Sequence, residues 1–258
     1  MKKIMALLML LILTLSACER NRILLVTTTS LENSGLLSYL IPHFEAEHNV
    51  AIRVVAVGSG AAFRLGEQGQ ADLLIVHDPL REHIFLADGY ATQRHPWIVN
   101  DFILVGPTNL EYDSLNDLLN TIITQHHFIS RGDDSGTHVK ELLLWQQASI
   151  DPTQTTTRYQ DIGQSMEATL MMASQRGAYT LTDRATFMFM QDELNLTIVH
   201  EDPLALRNPY SLLLVNPTLH NRNTETIERF YQWLTSEEAL TLIENYTIDG
   251  NPLFHRHP

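Results

Sequence analysis

The chain alternates short, continuous apolar runs with stretches in which apolar residues recur at helical spacing. Continuous runs of this length are typical of strands buried on both faces of a parallel sheet. Alternation of such strands with helices favours an α/β architecture in layers. The strands predicted in this way cover residues 23–26, 52–57, 73–76, 102–105 and 212–215.

The clearest helical pattern follows the first predicted strand. Pro42 lies inside this pattern, and because proline lacks the backbone N–H that a helix interior needs, a bend or a restart is predicted there. Another helix is predicted to begin around Val139, and two more near the C-terminus. The residues that share one face of the first helix are Leu36, Leu37, Leu40, Ile41 and Phe44.

Two segments, residues 100–107 and 208–217, resemble each other, since each is an apolar strand with asparagine at its start and proline at its end. They are either ordinary sheet strands or the two crossings of a two-lobed chain, and such crossings commonly form a hinge that closes around a ligand. We predict the second arrangement: two α/β lobes joined by two crossing strands. The predicted divisions are a signal peptide at 1–17, a first lobe at 18–100 completed by 209–258, and a second lobe at 101–208.

The N-terminus has the pattern of an export signal. Lys2 and Lys3 precede an apolar run at residues 5–15, which is too short for a transmembrane helix but typical of a signal peptide. The run ends at Leu15-Ser16-Ala17-Cys18, which resembles the bacterial lipobox, in which the cysteine is acylated and becomes the new N-terminus. The alternative is a free core cysteine behind an ordinary signal peptide. We predict an exported protein that is lipid-anchored at the bacterial cell envelope and faces the periplasm or the cell exterior.

Composition narrows the function classes. Across 258 residues, 17 basic and 30 acidic side chains give a net charge of −13, which argues against a groove for nucleic acid because phosphate binding needs a basic face. The chain contains 1 cysteine, so neither an intrachain disulfide nor a cysteine-based zinc site can form. We expect no cofactor, no metal and a monomer.

Two predicted strands each lead into a loop rich in hydrogen-bond donors. The first is followed by Thr28, Thr29 and Ser30, and the second by Ser59 and Gly60 within a Gly-Ser-Gly sequence. Hydroxyl groups and backbone amides at a helix N-terminus can bind an anion, and glycine lets the backbone approach a small ligand. Each loop taken alone is also compatible with a plain helix cap or a common turn.

A third loop, residues 130–138, is more specific. Arg131 supplies a permanent charge with several donors, Ser135 and Thr137 supply hydroxyl groups, and Gly136 gives access to the backbone. The neighbouring aspartates can orient the arginine or cap the helix that follows. Because ligands of open α/β sheets bind beyond the carboxyl ends of the strands, the three loops together predict a site for a tetrahedral oxyanion.

The same residues carry a resemblance to the tungstate-binding TupA family, the substrate-binding components of ABC importers. The resemblance implies a type II periplasmic-binding-protein fold with tungstate held between two lobes, an ABC permease as partner, and Tyr179 as a further contact on the second lobe. Two departures are Ser59, where the family usually has threonine, and Ser165, where glycine is expected. The matching motifs are TTTS at 27–30, NSGLL at 33–37, VGSG at 57–60, HDP at 77–79, NDF at 100–102, SRGDDSGTH at 130–138, AYTLTDR at 178–184 and NPY at 208–210.

Other ligands of the same fold stay open at this point. The loop at 131–137 is also similar to the Arg-x-Asp-x-Ser-Gly-Thr loop of phosphate-binding proteins. Phosphate keeps a proton near neutral pH and calls for a carboxylate acceptor, for which Asp78 is the candidate, although His77 stands where that family has serine. Sulfate and molybdate fit the same class of site, and the number of donors does not separate molybdate from tungstate.

Two alternative functions are a lipid-anchored hydrolase and a sensor lipoprotein that binds the anion and transmits a signal. Serine, histidine and aspartate are all present, including 12 histidines. However, the sequence contains neither a Gly-x-Ser-x-Gly nor a His-Glu-x-x-His motif. We therefore predict a binding protein that catalyses no reaction.

Overall fold

The structure is a computed structural model that describes residues 22–154, 157–220, 222 and 224–257. The predicted signal peptide and Cys18 lie outside these residues. The strands of the described part are β1 Arg22–Thr28, β2 Ala51–Val57, β3 Leu73–Val76, β4 Ala91–Gly106, β5 Phe128–Ser130, β6 Tyr159–Asp161, β7 Thr180–Asp183, β8 Thr197–Glu201, β9 Arg207–Val215, β10 Thr247–Ile248, β11 Asn251–Pro252 and β12 His255–Arg256.

Helices connect most of these strands. Within the same residues, no helix has both the length and the apolar character needed to cross a membrane. The helices are α1 Thr29–Asn33, α2 Leu36–His48, α3 Ser59–Glu67, α4 Pro79–Ala87, α5 Leu115–Gln125, α6 Gly136–Gln147, α7 Met166–Arg176, α8 Arg184–Met190, α9 Thr224–Leu234 and α10 Glu237–Asn245.

The main sheet has the strand order β12-β4-β9-β3-β1-β2. Strand β1 pairs in parallel with β2 and β3, with Thr28 opposite Val57 and Thr27 opposite Ile75. The carboxyl ends of these three strands therefore meet at one edge. One face of the sheet packs on α2, α9 and α10, and the other on α3 and α4. We call this sheet with its helices the first lobe.

The long strand β4 connects two sheets. Residues 91–101 pair with β9 in the main sheet, whereas residues 102–106 pair with β7 and β8. Strands β5 and β6 form a parallel pair beside β7, and a second apolar core with Phe128 and Trp145 packs on α5 and α6. We call this part the second lobe.

Three sequence-based expectations are wrong in detail. The predicted strands at 102–105 and 212–215 are antiparallel to their neighbours and not parallel. Pro42 does not restart its helix, because α2 is continuous from Leu36 to His48. Pro42 and Ser38, whose carbonyl loses its helical partner, both lie on the exposed side of α2, where water can satisfy that carbonyl. The helix expected around Val139 begins three residues earlier, at Gly136.

Candidate anion-binding site

The first lobe contributes two ordered hydroxyl groups where β1 passes into α1. Thr28 caps the helix by accepting a hydrogen bond from the Leu31 amide at 3.4 Å, and its Oγ1 lies 3.2 Å from the Ser30 hydroxyl. Both side chains are buried, whereas Thr29 between them is half-buried. The sequence produces this turn because threonine favours the strand end and its oxygen suits the N-cap.

Tyr210 on β9 holds this pair of hydroxyl groups in place through hydrogen bonds. Its phenol hydrogen-bonds with the side chains of Ser30, Asn208 and Thr28. Tyr210 is fully buried, and this burial raises its pKa above the usual value. The phenol is therefore a neutral group that orders the first-lobe hydroxyls.

The next loop of the first lobe carries a buried hydroxyl group without a partner. Ser59 begins α3, is 1% exposed, and its Oγ has no hydrogen-bond partner among the described residues. Gly60 follows with little room, since a Cβ there would lie 3.0 Å from Nη1 of Arg81. A buried hydroxyl of this kind is costly unless a ligand or water satisfies it.

The second lobe contributes the charge. Arg131 follows β5, is only 4% exposed, and forms an ion pair with Asp133. The other carboxylate oxygen of Asp133 accepts the Ser135 amide at 3.2 Å, which fixes the loop. Within the described ranges Nε of Arg131 has no hydrogen-bond partner. The guanidinium is thus oriented by one carboxylate and keeps an unused buried donor.

The start of α6 lies directly after this loop. Ser135 caps the helix by accepting the His138 amide at 3.3 Å, so part of its predicted binding capacity serves the helix. Gly136 is the first helical residue. Thr137 is 1% exposed, and its Oγ1 lacks a partner in the part of the chain that the structure describes.

A buried carboxyl group lies behind the charged loop. Glu141 on α6 accepts hydrogen bonds from Ser130 at 2.8 Å, from Trp145 at 3.0 Å and from the Tyr159 phenol at 2.7 Å. Burial raises the pKa of Glu141 to about 7, against the lowering effect of these three donors. Ser130 directly precedes Arg131, so Glu141 ties the base of the loop to α6 and β6.

The two lobes meet at His77, which follows β3. Its Nδ1 lies 2.6 Å from Oδ1 of Asn208, and its ring stacks on Tyr210 with centroids 4.8 Å apart. Its ring also abuts Gly136 of the second lobe. Burial and, to a smaller extent, the nearby Arg131 lower the pKa of His77 to about 4 against the raising effect of the bond to Asn208, so the imidazole is neutral near pH 7. A neutral ring next to the amide oxygen of Asn208 carries its proton on Nδ1.

The two asparagines of the crossing strands face each other, since Asn100 on β4 is in register with Asn208 on β9. Asn100 is 4% exposed, and both polar atoms of its amide lack partners among the described residues. This amide is a further unsatisfied group at the point where β4 passes from one sheet to the other.

Tyr179 does not join these groups. It is fully buried in the core of the second lobe, and its phenol donates to the carbonyl of Thr108 at 3.0 Å. It precedes β7, whose other end, Asp183, interacts electrostatically with Arg131. Four residues of extended chain span roughly 13 Å. The hydroxyl group suggested as a ligand contact by the family resemblance is therefore used within the core.

Sequence reasoning named the donors but not the groups that hold them. His77, Asn100, Asn208 and Tyr210 are buried together at the centre, although none of them was among the predicted ligand contacts. Their signal was available, because a polar residue beside a buried strand end needs a partner. Which partners they find depends on contacts between segments 131 residues apart, as in the bond between His77 and Asn208.

The arrangement suits a small anion bound without its water. Buried donor atoms that lack a partner among the described residues come from both lobes, namely Oγ of Ser59, Nε of Arg131 and Oγ1 of Thr137. Two carboxylates next to the site are already engaged: Asp78 caps α4, and both oxygens of Asp183 accept from Thr186 at 2.9 and 2.8 Å. In the described ranges, no cluster of histidine, cysteine, aspartate or glutamate has the arrangement of a metal site.

Comparison with known proteins gives a consistent result. A family model described as a PBP superfamily domain matches residues 16–238. The tungstate-binding protein TupA of Peptoclostridium acidaminophilum is 42% identical over 246 residues, which cover 91% of this chain and 85% of the relative.

Solved structures agree with this relative. The tungstate ABC transporter protein from Geobacter sulfurreducens matches with a TM-score of 0.80 at 38% identity, covering 87% of this chain and 98% of that one. TupA from Desulfovibrio alaskensis G20 matches with a TM-score of 0.79 at 32% identity, covering 92% and 98%. These matches confirm the predicted periplasmic-binding-protein fold. The chain belongs to the TupA family within the PBP superfamily.

Proposed function

We propose that this protein binds tungstate between its two lobes at one-to-one stoichiometry and delivers it to the permease of an ABC importer. The observation that carries the proposal is the set of buried donor atoms that have no partner in the described part of the chain: Oγ of Ser59 on one lobe, and Nε of Arg131 and Oγ1 of Thr137 on the other. Burying a dianion is prohibitive unless such donors surround it, and leaving the donors unpaired is itself costly. An unprotonated tetrahedral oxyanion satisfies both requirements at once.

The neighbouring carboxylates favour tungstate over phosphate. Phosphate near neutral pH carries a proton that needs an acceptor, and Asp78 is the candidate for that role. Its carboxylate accepts the Arg81 amide at 3.1 Å and faces the Arg81 side chain at 3.6 Å, so it already serves its own helix. Sulfate lacks a proton, but its bonds to oxygen are shorter than those of tungstate. Because the ion is smaller, it would reach fewer of the donors on the two lobes.

Molybdate is proposed as a second ligand of the same site. It has the charge, the shape and nearly the size of tungstate, so the same donors serve both ions. The preference between them is then small compared with the preference of both over sulfate and phosphate.

The division into lobes supports a closing motion. We assign residues 18–100 and 209–258 to one lobe and residues 101–208 to the other, with β4 and β9 as the crossing strands. Donors on both lobes can surround the ion only when the lobes approach each other, so binding and closure are coupled. The closed form is the one that we expect the permease to recognise. The protein is proposed to act as a monomer and to catalyse no reaction.

We infer from the N-terminal sequence that the protein is located outside the cytoplasm. Residues 1–17 would be removed as a signal peptide, and Cys18 would carry the lipid anchor. The Cys18→Ser variant should leave the membrane fraction after washing without detergent and should bind tungstate normally. If the variant stays in the membrane fraction, the lipobox assignment is wrong.

Calorimetric titration of the mature protein tests the binding proposal directly. Tungstate and molybdate should bind at a ratio of one with a free energy of about −10 to −12 kcal/mol, which corresponds to a Kd near or below tens of nanomolar. Sulfate and phosphate should bind at least about 100-fold more weakly. Flat titrations with both tungstate and molybdate would contradict the proposal, and turnover of ester or phosphoester substrates would favour a hydrolase.

A further inference from the structure

Gly136 and His77 make a close contact across the two lobes. A Cβ atom built at Gly136 would lie 2.5 Å from Cε1, 2.8 Å from Nδ1 and 2.8 Å from Nε2 of the His77 ring. Separations below 3.0 Å are not tolerated, so any larger residue must displace the ring or the helix. The ring of one lobe therefore rests on the bare backbone of the other.

The backbone of Gly136 does not itself require glycine. Gly136 does not have a positive φ, and it is the first residue of α6. Alanine would even favour the helix, because glycine is the weaker helix former by about 1 kcal/mol. The need for glycine at this position comes from the approach of His77.

His77 has little freedom to move aside. Its ring is stacked on Tyr210 and faces Phe102, with centroids 6.3 Å apart, and its Nδ1 is hydrogen-bonded to Asn208. The turn that carries it is fixed as well: the buried Glu82 accepts the amide next to His77 at 2.9 Å and binds Arg94 of β4 at 2.7 and 2.9 Å. The ring is thus fixed by the turn of the first lobe that carries it and by the crossing strands β4 and β9, which provide Phe102, Asn208 and Tyr210.

We propose that the contact of the His77 ring with Gly136 is the stop that sets how closely the lobes approach, and that it thereby determines which oxyanions the site accepts. The inference rests on the proposed function and deepens it. Thr137 directly follows Gly136, and Arg131 lies at the other end of the same loop. A stop at Gly136 therefore fixes the distance between the second-lobe donors and Ser59 on the first lobe.

This arrangement has two consequences for selectivity. A side chain at position 136 holds the lobes apart, so the donors of the two walls no longer reach one tetrahedral ion; a misplacement of about 1 Å costs on the order of 100-fold. Removal of the ring has the opposite effect, because the lobes can then approach each other more closely and the distance between their donors is no longer fixed. Smaller oxyanions such as sulfate then gain relative to tungstate.

The test is a double-mutant cycle with Gly136→Ala, His77→Ala and the double variant, titrated with tungstate and with sulfate. Gly136→Ala should raise the Kd for tungstate by about 10- to 100-fold. In the His77→Ala background the same substitution should cost no more than about threefold, because the ring that it meets is gone. His77→Ala alone should lower the ratio of tungstate to sulfate affinity by at least about tenfold.

The outcomes separate this inference from the proposed function. If the wild type binds no tungstate, the proposed function fails. If the wild type binds but Gly136→Ala costs the same factor with and without His77, Gly136 serves backbone access to the ion and the stop is refuted. An unchanged selectivity ratio in His77→Ala also overturns the proposal.

Folding is checked by thermal melting of each unliganded variant. If His77→Ala does not fold, His77→Asn replaces it. This variant keeps an N–H for Asn208 and removes Cε1 and Nε2, so it should reduce the cost of Gly136→Ala by at least about threefold. No reduction in a folded His77→Asn protein counts against the stop.

Discussion

The candidate site has a first wall on the first lobe, formed by Thr28, Ser30 and Ser59, and a second wall on the second lobe, formed by Arg131 and Thr137. The two walls differ in how many of their polar groups already have hydrogen-bond partners without a ligand. On the first lobe, Thr28 and Ser30 already bind each other and Tyr210. On the second lobe, Nε of Arg131 and the hydroxyl of Thr137 have no partner among the described residues. The first wall is therefore ordered in advance at Thr28 and Ser30 but open at Ser59, whose hydroxyl also has no partner among the described residues, whereas the second wall is open at both Arg131 and Thr137. Substitution of the charged Arg131 should cost the most binding energy.

The walls also differ in charge and in the groups that support them. The hydroxyl groups of the first wall are neutral, those of Thr28 and Ser30 are supported by the phenol of Tyr210, and the neighbouring Arg81 faces Asp78. The second wall carries Arg131, oriented by Asp133, and rests on the titratable carboxyl group of Glu141. The second lobe should therefore contribute both the main electrostatic attraction and most of the pH dependence.

The largest expected effect is that of Arg131→Ala. A buried dianion would lose its nearby full positive charge, which should cost about 2–5 kcal/mol of binding, or roughly 30-fold to several thousand-fold in Kd. Arg131→Lys should restore only part of the affinity, because an ammonium group cannot reproduce the planar fork. Calorimetric titration with tungstate measures all three proteins.

The control for this substitution is Arg176→Ala. Arg176 is an exposed arginine of the same lobe whose guanidinium binds Gln160 at the surface. Its loss should leave the Kd within about threefold, since exposed charges contribute little. If Arg131→Ala behaves like Arg176→Ala, the loop is a structural turn and the anion binds elsewhere.

The second effect concerns stability and not binding. The pKa of Glu141 is about 7 in the folded protein, against an ordinary glutamate value of 4.5 in the unfolded chain, so the folded state keeps the proton to higher pH than the unfolded state does. Stability is therefore lost as the pH rises from about 4.5 to 7, by up to about 3 kcal/mol. Glu141→Gln has no such loss, so the unfolding free energy of the wild type minus that of the variant should fall by up to about 3 kcal/mol over this pH range.

The measurement is denaturant unfolding at several pH values between 4 and 8. His77 acts in the opposite direction, because its lowered pKa makes stability rise with pH between about 4 and 6.5. Both proteins contain His77, so its contribution cancels in the difference. A difference that does not vary with pH would mean that Glu141 is already ionised at pH 5.

The third effect compares one hydroxyl group from each wall. Thr137→Val and Ser59→Ala each remove a single buried donor to the ion, at an expected cost of about 1–3 kcal/mol of binding. Because both hydroxyls are buried and neither has a partner among the described residues, the two losses should be similar. Thr241→Val is the control, because its hydroxyl binds the Glu237 carbonyl at 2.7 Å on the exposed side of α10. A loss at Ser59 or Thr137 no larger than that of Thr241→Val would mean that this hydroxyl does not bind the ion.

Sequence patterns predicted the elements of this fold better than their directions. The apolar runs at 102–105 and 212–215 are strands, but such runs mark burial on both faces and carry no information on whether the neighbouring strand is parallel. Direction depends on the path of the chain, and here β4 and β9 return alongside each other in antiparallel register. The presence of a strand is a local property of the sequence, whereas its pairing is not.

The same distinction applies to the site. Donors at the starts of α1, α3 and α6 were predictable because each follows a strand and has the composition of a helix N-terminus. The function of His77 was not, because it depends on Asn208, Tyr210 and Gly136, which are distant in sequence. Tyr179 shows the limit of a matching motif: the motif implies a ligand contact, whereas the hydroxyl binds Thr108 in the core, so its role in binding is left to the titration of Tyr179→Phe.

The smallest expected effect contrasts two buried tyrosines, one behind the first wall and one in the core of the second lobe. Tyr179→Phe removes the hydrogen bond to Thr108, so it should lower stability by about 1 kcal/mol and leave the Kd for tungstate within about twofold. Tyr210→Phe removes the bonds to Thr28 and Ser30, so it should weaken binding several-fold because the first-wall hydroxyls lose their support. Titration and melting of both variants separate the two effects. If Tyr179→Phe weakens binding as much as Tyr210→Phe does, the bonds from Tyr210 to Thr28 and Ser30 do not account for the affinity of the first wall.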